Sequence, residues 1–145
     1  RVAGIYFSLV HIGGVDRLPV TTAYTLAAGV ACAETLAERT GVDVRLKPVN
    51  DLYANGVKLG GILTESWIEA ERMVALVTGV GINVRRIDRG VPSISLEEVM
   101  PAERFARLDL AALTLALTDA IERWHARVRV GGVGSVEKAF EQRRV

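Results

Sequence analysis

At 145 residues the chain is long enough for one domain with a real core and hardly for two. Half of the residues are hydrophobic and 24% are charged, and 18 basic against 17 acidic side chains leave a formal charge of +1, without the basic excess that a nucleic-acid footprint needs. Cys32 stands alone, which excludes an intrachain disulfide and a cysteine-rich metal site, and no apolar run is long enough to span a bilayer.

Residues 3 to 10, AGIYFSLV, read as a buried strand, with Ala3, Ile5, Phe7 and Leu9 on one face and Gly4, Tyr6, Ser8 and Val10 on the other. HIGGVDRLP then reads as a loop. From Val20 to about Thr40 the period becomes helical, with Leu26, Val30, Ala33 and Ala37 on one stripe and Gly41 just past the end. Cys32 falls among small apolar residues of this helix and reads as a buried, inert thiol. A lone thiol fits a reducing, cytoplasmic compartment.

Residues 42 to 48 predict a short strand whose Asp43, Arg45 and Lys47 face opposite to Val44 and Leu46. Asn55-Gly56 predicts a two-residue hairpin turn, because both central residues of that turn need positive φ. The strand leaving it runs through KLGGILTES, and a second turn near residues 69 to 72 leads into MVALVTGVGINV, residues 73 to 84. Residues 85 to 94 read as a loop. Ser95, with Glu98 three residues on, predicts a capped helical turn to Met100. Asp109 opens a long helix with Leu110, Leu113, Leu117, Ile121, Trp124 and Val128 as its apolar stripe, ended by Gly131 and Gly132. Residues 135 to 142 predict a last short helix. Strands in a run with helices around them imply an α+β domain, a mostly antiparallel sheet with flanking helices.

Several residues could carry chemistry. In the strand TGVGINV, Gly79, Gly81 and Asn83 share one face, opposite Val80, Ile82 and Val84. Glycines inside a strand mark the close approach of a ligand or of another backbone, and both readings stand at this point. Asp51 and Lys58 lie on the two arms of the first hairpin, as a surface ion pair or as part of an anion site. Gly60-Gly61 weighs toward the second, since adjacent glycines weaken a strand unless something passes close to them. A lysine beside bare backbone suits a carboxylate or a phosphate, and Lys47 is a second such cation. His11 and His125 lack a third ligand at metal-site spacing and read as structural. Ser8 has no nucleophile-elbow glycines around it. Trp67 and Trp124 read as packing residues. The groups Arg85, Arg86, Arg89 and Arg143, Arg144 read as solvated charge.

Four segments in order, GIYFSLV (4–10), KPVNDLY (47–53), KLGGILTE (58–65) and GVGINV (79–84), give the chain a resemblance to the catalytic domain of biotin protein ligases. The second is similar to that family's KWPNDLY, from which Pro48 and Val49 depart. Lipoate ligases share the Asn-Asp and the following lysine, but not the GILTE and GVGINV segments. The resemblance implies a fold similar to the class II aminoacyl-tRNA synthetase core. It implies ATP-dependent conversion of biotin to biotinyl-AMP and transfer to a lysine of a biotin carboxyl carrier protein. Under it, Lys58 contacts the biotin carboxylate and the α-phosphate, and Asp51 helps place Mg²⁺ and Lys58. Asn50 and Asn83 contact the nucleotide, and Lys47 supports the phosphate side. Gly61, Gly79 and Gly81 let backbone approach biotin, and Tyr6 walls its apolar body. The family's GRGRxGR loop and C-terminal β-domain have no counterpart in these residues. The expectation is therefore one partial catalytic domain over residues 1–145, with sequence missing before Arg1 and inactive unless the rest is supplied. A lipoate-type acyltransferase and a non-catalytic ligand-binding scaffold are the alternatives. Homodimerisation through the sheet edge is a further family trait; no nucleic-acid or membrane partner is expected.

Overall fold

The computed structural model describes residues 2–15, 21–88 and 90–145. Arg1, Val20 and Arg89, which figure in the expectations above, lie outside the described residues, as does the 16–19 part of the expected first loop. Five strands form one antiparallel sheet in the order β1-β5-β4-β3-β2. They are β1 (Gly4–Val15), β2 (Arg45–Lys47), β3 (Asp51–Ala54), β4 (Val57–Glu69) and β5 (Arg72–Asn83). The helices are α1 (Thr21–Thr40), α2 (Leu96–Val99), α3 (Ala102–Ala106), α4 (Leu110–Arg129) and α5 (Val133–Arg143).

Helix α1 lies on one face of the sheet, and α4 and α5 pack against α1. This explains why α1 is buried almost all round rather than along one stripe. Ala27, Ala28, Val30, Ala31, Cys32 and Ala33 are all inaccessible, and their small side chains let sheet and helices approach from both sides. Leu26 and Ala37 of the expected stripe are only partly buried. Gly41 ends the helix at φ +75°, its N–H donating to the Ala37 carbonyl at 2.9 Å. In α4 the Asp109 carboxylate accepts from the N–H of Ala112 at 3.0 Å, and the expected stripe faces the core from Leu113 to Val128. The Glu98 carboxylate accepts from both the N–H and the hydroxyl of Ser95, at 3.0 and 2.8 Å, which fixes the short α2.

Both hairpins turn where the sequence places them. Asn55 and Gly56 have φ of 51° and 75°, and at the second turn Ala70 and Glu71 take 47° and 62° without a glycine. Four expectations need correction. Strand β1 does not stop at Val10: it pairs with β5 as far as Val15↔Met73, with a register shift after Ile12 that absorbs Gly13 at φ +108°. Nor is it buried on both faces, since Ile5 is buried and Phe7 and Leu9 half-buried while Tyr6, Ser8 and Val10 are exposed. Trp67 does not pack: it is 64% exposed, its indole N–H donating to Glu69, whereas Trp124 is buried and donates to Glu34 at 3.1 Å. Arg85 is no freely solvated charge either: it meets Glu97 at 2.6 Å and lies over the Phe105 ring. Helix α3 was not expected from the sequence.

Candidate functional site

The helices cover one face of the sheet and leave the other open. On the open face the strand registers align one residue from each strand. Lys47 pairs with Asp51, Asp51 with Gly61, Gly61 with Gly81, and Gly81 with Tyr6. Directly paired residues point to the same side of a sheet, so these five positions form a single row. The next row runs Leu63, Gly79, Ser8. The middle of the first row has no side chains. Three strand spacings separate β3 from β1, so the distance between the acidic end and the tyrosine end is about 14 Å.

A register shift builds this row. Leu52 pairs with Gly60 and Tyr53 with Lys58, so Leu59 is left without a partner on β3. Without the extra residue, strict alternation would put Lys58 and Gly61 on opposite faces. The bulge turns both Leu59 and Gly60 inward, where they are buried, and leaves Lys58 and Gly61 together on the open side. The two adjacent glycines therefore have different reasons. A Cβ on Gly60 would strike the backbone oxygen of Gly81, so Gly60 is required by close packing of β4 on β5. A Cβ on Gly61 would meet Asp51, Asn50 and Lys58 only at 3.5 to 3.8 Å, which is ordinary contact. The fold does not need a glycine there.

The Lys58 ammonium lies 2.7 Å from Oδ1 of Asp51, with side chains 46% and 25% exposed. At that exposure the pair adds little to stability, of order 0–1 kcal/mol. It does hold a cation at the edge of the glycine floor. At the other end, the Tyr6 ring leans over Gly4 and over Gly81, where a Cβ would come within 3.3 Å of its Cδ1. The resulting trough has a volume of about 520 Å³ and is lined by Tyr6, Asn50, Asp51, Lys58, Gly61, Gly79 and Gly81 among others. That size suits a small ligand. Asn50 enters it from the turn before β3, and its carbonyl accepts from the N–H of Ile62 at 2.8 Å.

Seven of the nine expected site residues thus meet in one trough. Lys47 stands at the end of the row but outside the trough, its ammonium 3.5 Å from the Tyr53 hydroxyl and over the Tyr53 ring. Asn83 lies one strand step beyond, and its amide donates to the Ile94 carbonyl at 3.1 Å, tying down the loop that follows β5. Ser8, Leu63 and Ile62 also line the trough and were not singled out as site residues. Ser8 was set aside because it lacks a nucleophile's surroundings, and the cross-strand register that places it beside Gly79 is not written in β1 alone. No grouping of three or more His, Cys, Asp or Glu that could hold a metal occurs among the described residues.

The model of the biotin/lipoate A/B protein ligase family matches residues 3–83, the segment that builds the trough. The chain belongs to that family. A bifunctional ligase/repressor BirA from Bacillus subtilis is 35% identical over 89 residues, 61% of this chain and 27% of the relative. A chloroplastic biotin–protein ligase 1 from Arabidopsis thaliana is 44% identical over 59 residues, 41% of this chain and 15% of that protein. The chain thus spans about a quarter or less of the curated relatives it matches. Among solved structures, biotin protein ligase from Aquifex aeolicus superposes with a TM-score of 0.79 at 22% identity, over 99% of this chain and 61% of that one. The same enzyme in complex with biotin and ATP gives a TM-score of 0.78 at 21% identity, over 99% and 59%. These structures establish the shared fold, an antiparallel sheet with helices on one side.

Proposed function

We propose that the trough is the biotin and adenylate site of a biotin–protein ligase, and that Lys58 is its central cation. The observation that carries this reading is the five-strand row, a bare glycine floor with a cation at one end and an aromatic wall at the other. The named relatives are biotin ligases, and one solved neighbour of the same fold holds biotin and ATP. The apolar body of biotin would lie on Gly81 and Gly79 against Tyr6, with its carboxylate toward Lys58.

In the first half-reaction a carboxylate oxygen attacks the α-phosphorus of ATP, biotinyl-AMP forms and pyrophosphate leaves. Negative charge gathers on the transferring phosphate, and a fixed ammonium beside it lowers that barrier. Asp51 holds Lys58 in place, which is a positioning role. Asn50 would contact the nucleotide. Asn83 would do so with the amide hydrogen and carbonyl that it does not spend on Ile94, and Lys47 would support the phosphates from the end of the row. In the second half-reaction the amine of a carrier lysine attacks the acyl carbon, AMP departs, and the amine loses a proton to solvent. Asp51 with Lys58 on its Oδ1 is a poor Mg²⁺ ligand, because the ammonium already neutralises it. Mg²⁺ is thus assigned to the ATP phosphates and carries no step here. A biotin carboxyl carrier protein is the partner that this chemistry requires.

Calorimetric titration tests the proposal. The chain should bind a non-hydrolysable biotinyl-AMP analogue saturably, and Lys58→Ala should weaken binding by about tenfold or more, the scale of a lost charge-assisted contact. Equal affinity in the two proteins would remove Lys58 from the site.

A further inference from the structure

The chain that leaves β5 comes back to the sheet at Ile94, beside Lys58. Strand β5 ends at Asn83, and its ladder with β4 begins at Gly60↔Ile82, so β5 offers no pairing residue to Lys58. A two-residue turn is closed by hydrogen bonds between the residues that flank it, here Ala54 and Val57. Pairs along an antiparallel ladder alternate in kind, so in the next pair, Tyr53 and Lys58, the backbone groups point away from each other. The Lys58 carbonyl therefore faces the side that β5 leaves vacant, and there the N–H of Ile94 donates to it at 2.9 Å.

Ile94 is held in turn by Asn83. The Asn83 amide donates to the Ile94 carbonyl at 3.1 Å, so both backbone polar groups of Ile94 are engaged, one by each neighbour. Ile94 is thus a rung between the end of β5 and the residue that carries the cation. The loop base has other anchors: the Glu97 N–H donates to the Val84 carbonyl at 3.0 Å, and Arg85 meets Glu97 at 2.6 Å. The bond from Asn83 is spent on the residue that meets Lys58. Immediately after Lys58 comes Leu59, the unpaired residue of the bulge. A bulge disrupts the ladder locally and re-aims side chains, so the direction of Lys58 depends on what fixes its backbone. Asp51 holds its ammonium at 2.7 Å, and Ile94 holds its carbonyl.

We propose that Asn83 is a positioning residue for Lys58 and acts through the backbone of Ile94. The inference rests on the reading of the trough as a biotin site with Lys58 as its cation. To a direct contact with the nucleotide it adds a role for Asn83 in the binding of biotin itself.

The test is a double-mutant cycle read by calorimetry with biotin alone, in the parent, Asn83→Ala, Lys58→Ala and the double variant. With no nucleotide present, a direct contact from Asn83 to the nucleotide contributes nothing. Asn83→Ala should weaken biotin binding about fivefold, the worth of one ordinary hydrogen bond, and by less than Lys58→Ala does. In the Lys58→Ala background it should weaken binding no further. NMR of the free chain gives a second readout. In Asn83→Ala the Ile94 amide should exchange its hydrogen about fivefold faster, while amides in the middle of the sheet keep their protection. The Cε carbon resonance of Lys58 should move toward its position in Asp51→Asn, where the ion pair is absent. The inference is overturned if the two losses simply add in the cycle, or if the Lys58 resonance in Asn83→Ala stays where the parent has it, which would make Asn83 an anchor of the loop only. Equal biotin affinity in the parent and Lys58→Ala would overturn the reading of the trough instead, and the Lys58 resonance would still decide whether Asn83 positions the lysine.

Discussion

Alanine at Gly60 and at Gly61 should have opposite consequences, although the two residues are neighbours of the same type. At Gly60 the added methyl collides with the backbone oxygen of Gly81, which belongs to the middle of the sheet and cannot step aside. Overpacking of this kind costs about 2–3 kcal/mol. At Gly61 the nearest atoms stand at 3.5 to 3.8 Å, so the methyl fits. There the gain in backbone rigidity, of order 0.5–1 kcal/mol, has nothing opposing it. The two variants should therefore differ by about 3 kcal/mol in urea unfolding, a gap in melting temperature of roughly 10 °C for a chain of this size. Binding should rank the other way. A methyl on Gly61 rises from the trough floor beside Lys58 and should displace the biotinyl-AMP analogue, with calorimetric affinity lowered at least about tenfold, the result of 1.4 kcal/mol or more. A Gly61→Ala protein that is stable and binds as tightly as the parent would refute the assignment of Gly61 to the ligand. Equal stability of the two variants would refute the bulge argument.

Two further outcomes follow from buried groups. Burial holds the His125 imidazole at a pKa of about 4, against 6.5 when unfolded, with the Tyr24 carbonyl pulling upward and the charge of His11 downward. Protonation thus favours the unfolded chain: this stability is complete above pH 6.5 and is lost as pH falls toward 4. The loss amounts to about 3 kcal/mol over that window and is readable as a falling urea midpoint, and a flat profile would contradict it. Burial also pushes the Cys32 thiol up to about 12, so an alkylating reagent at neutral pH should label it only on unfolding, as mass spectrometry of native and urea-treated protein would show.

Much of the fold could be read from the sequence because local chemistry dictates it. The Asn55-Gly56 turn, the Asp109 cap and the alternation of Val80, Ile82 and Val84 against Gly79, Gly81 and Asn83 each follow from one segment taken alone. The trough did not follow from any single segment. It depends on register across four strand pairs, and on one unpaired residue, Leu59, that reverses the faces of everything after it. Alternation carried through KLGGILTES without that bulge would bury Gly61. The extension of β1 was hidden for a related reason: HIGG has the composition of a loop, and only pairing with Met73 to Leu76 reveals it as strand. The exposure of Trp67 reflects a face that no helix covers, which an indole in an alternating segment does not disclose.

The most direct measurement is an NMR map of backbone amides as the biotinyl-AMP analogue is added to the folded chain. The largest shifts should fall on Gly61, Gly79 and Gly81 and on their neighbours Tyr6 and Lys58, a set scattered through the sequence and joined only by the trough on the open face of the sheet. Shifts confined to other residues, or none at all from a folded chain, would contradict the account.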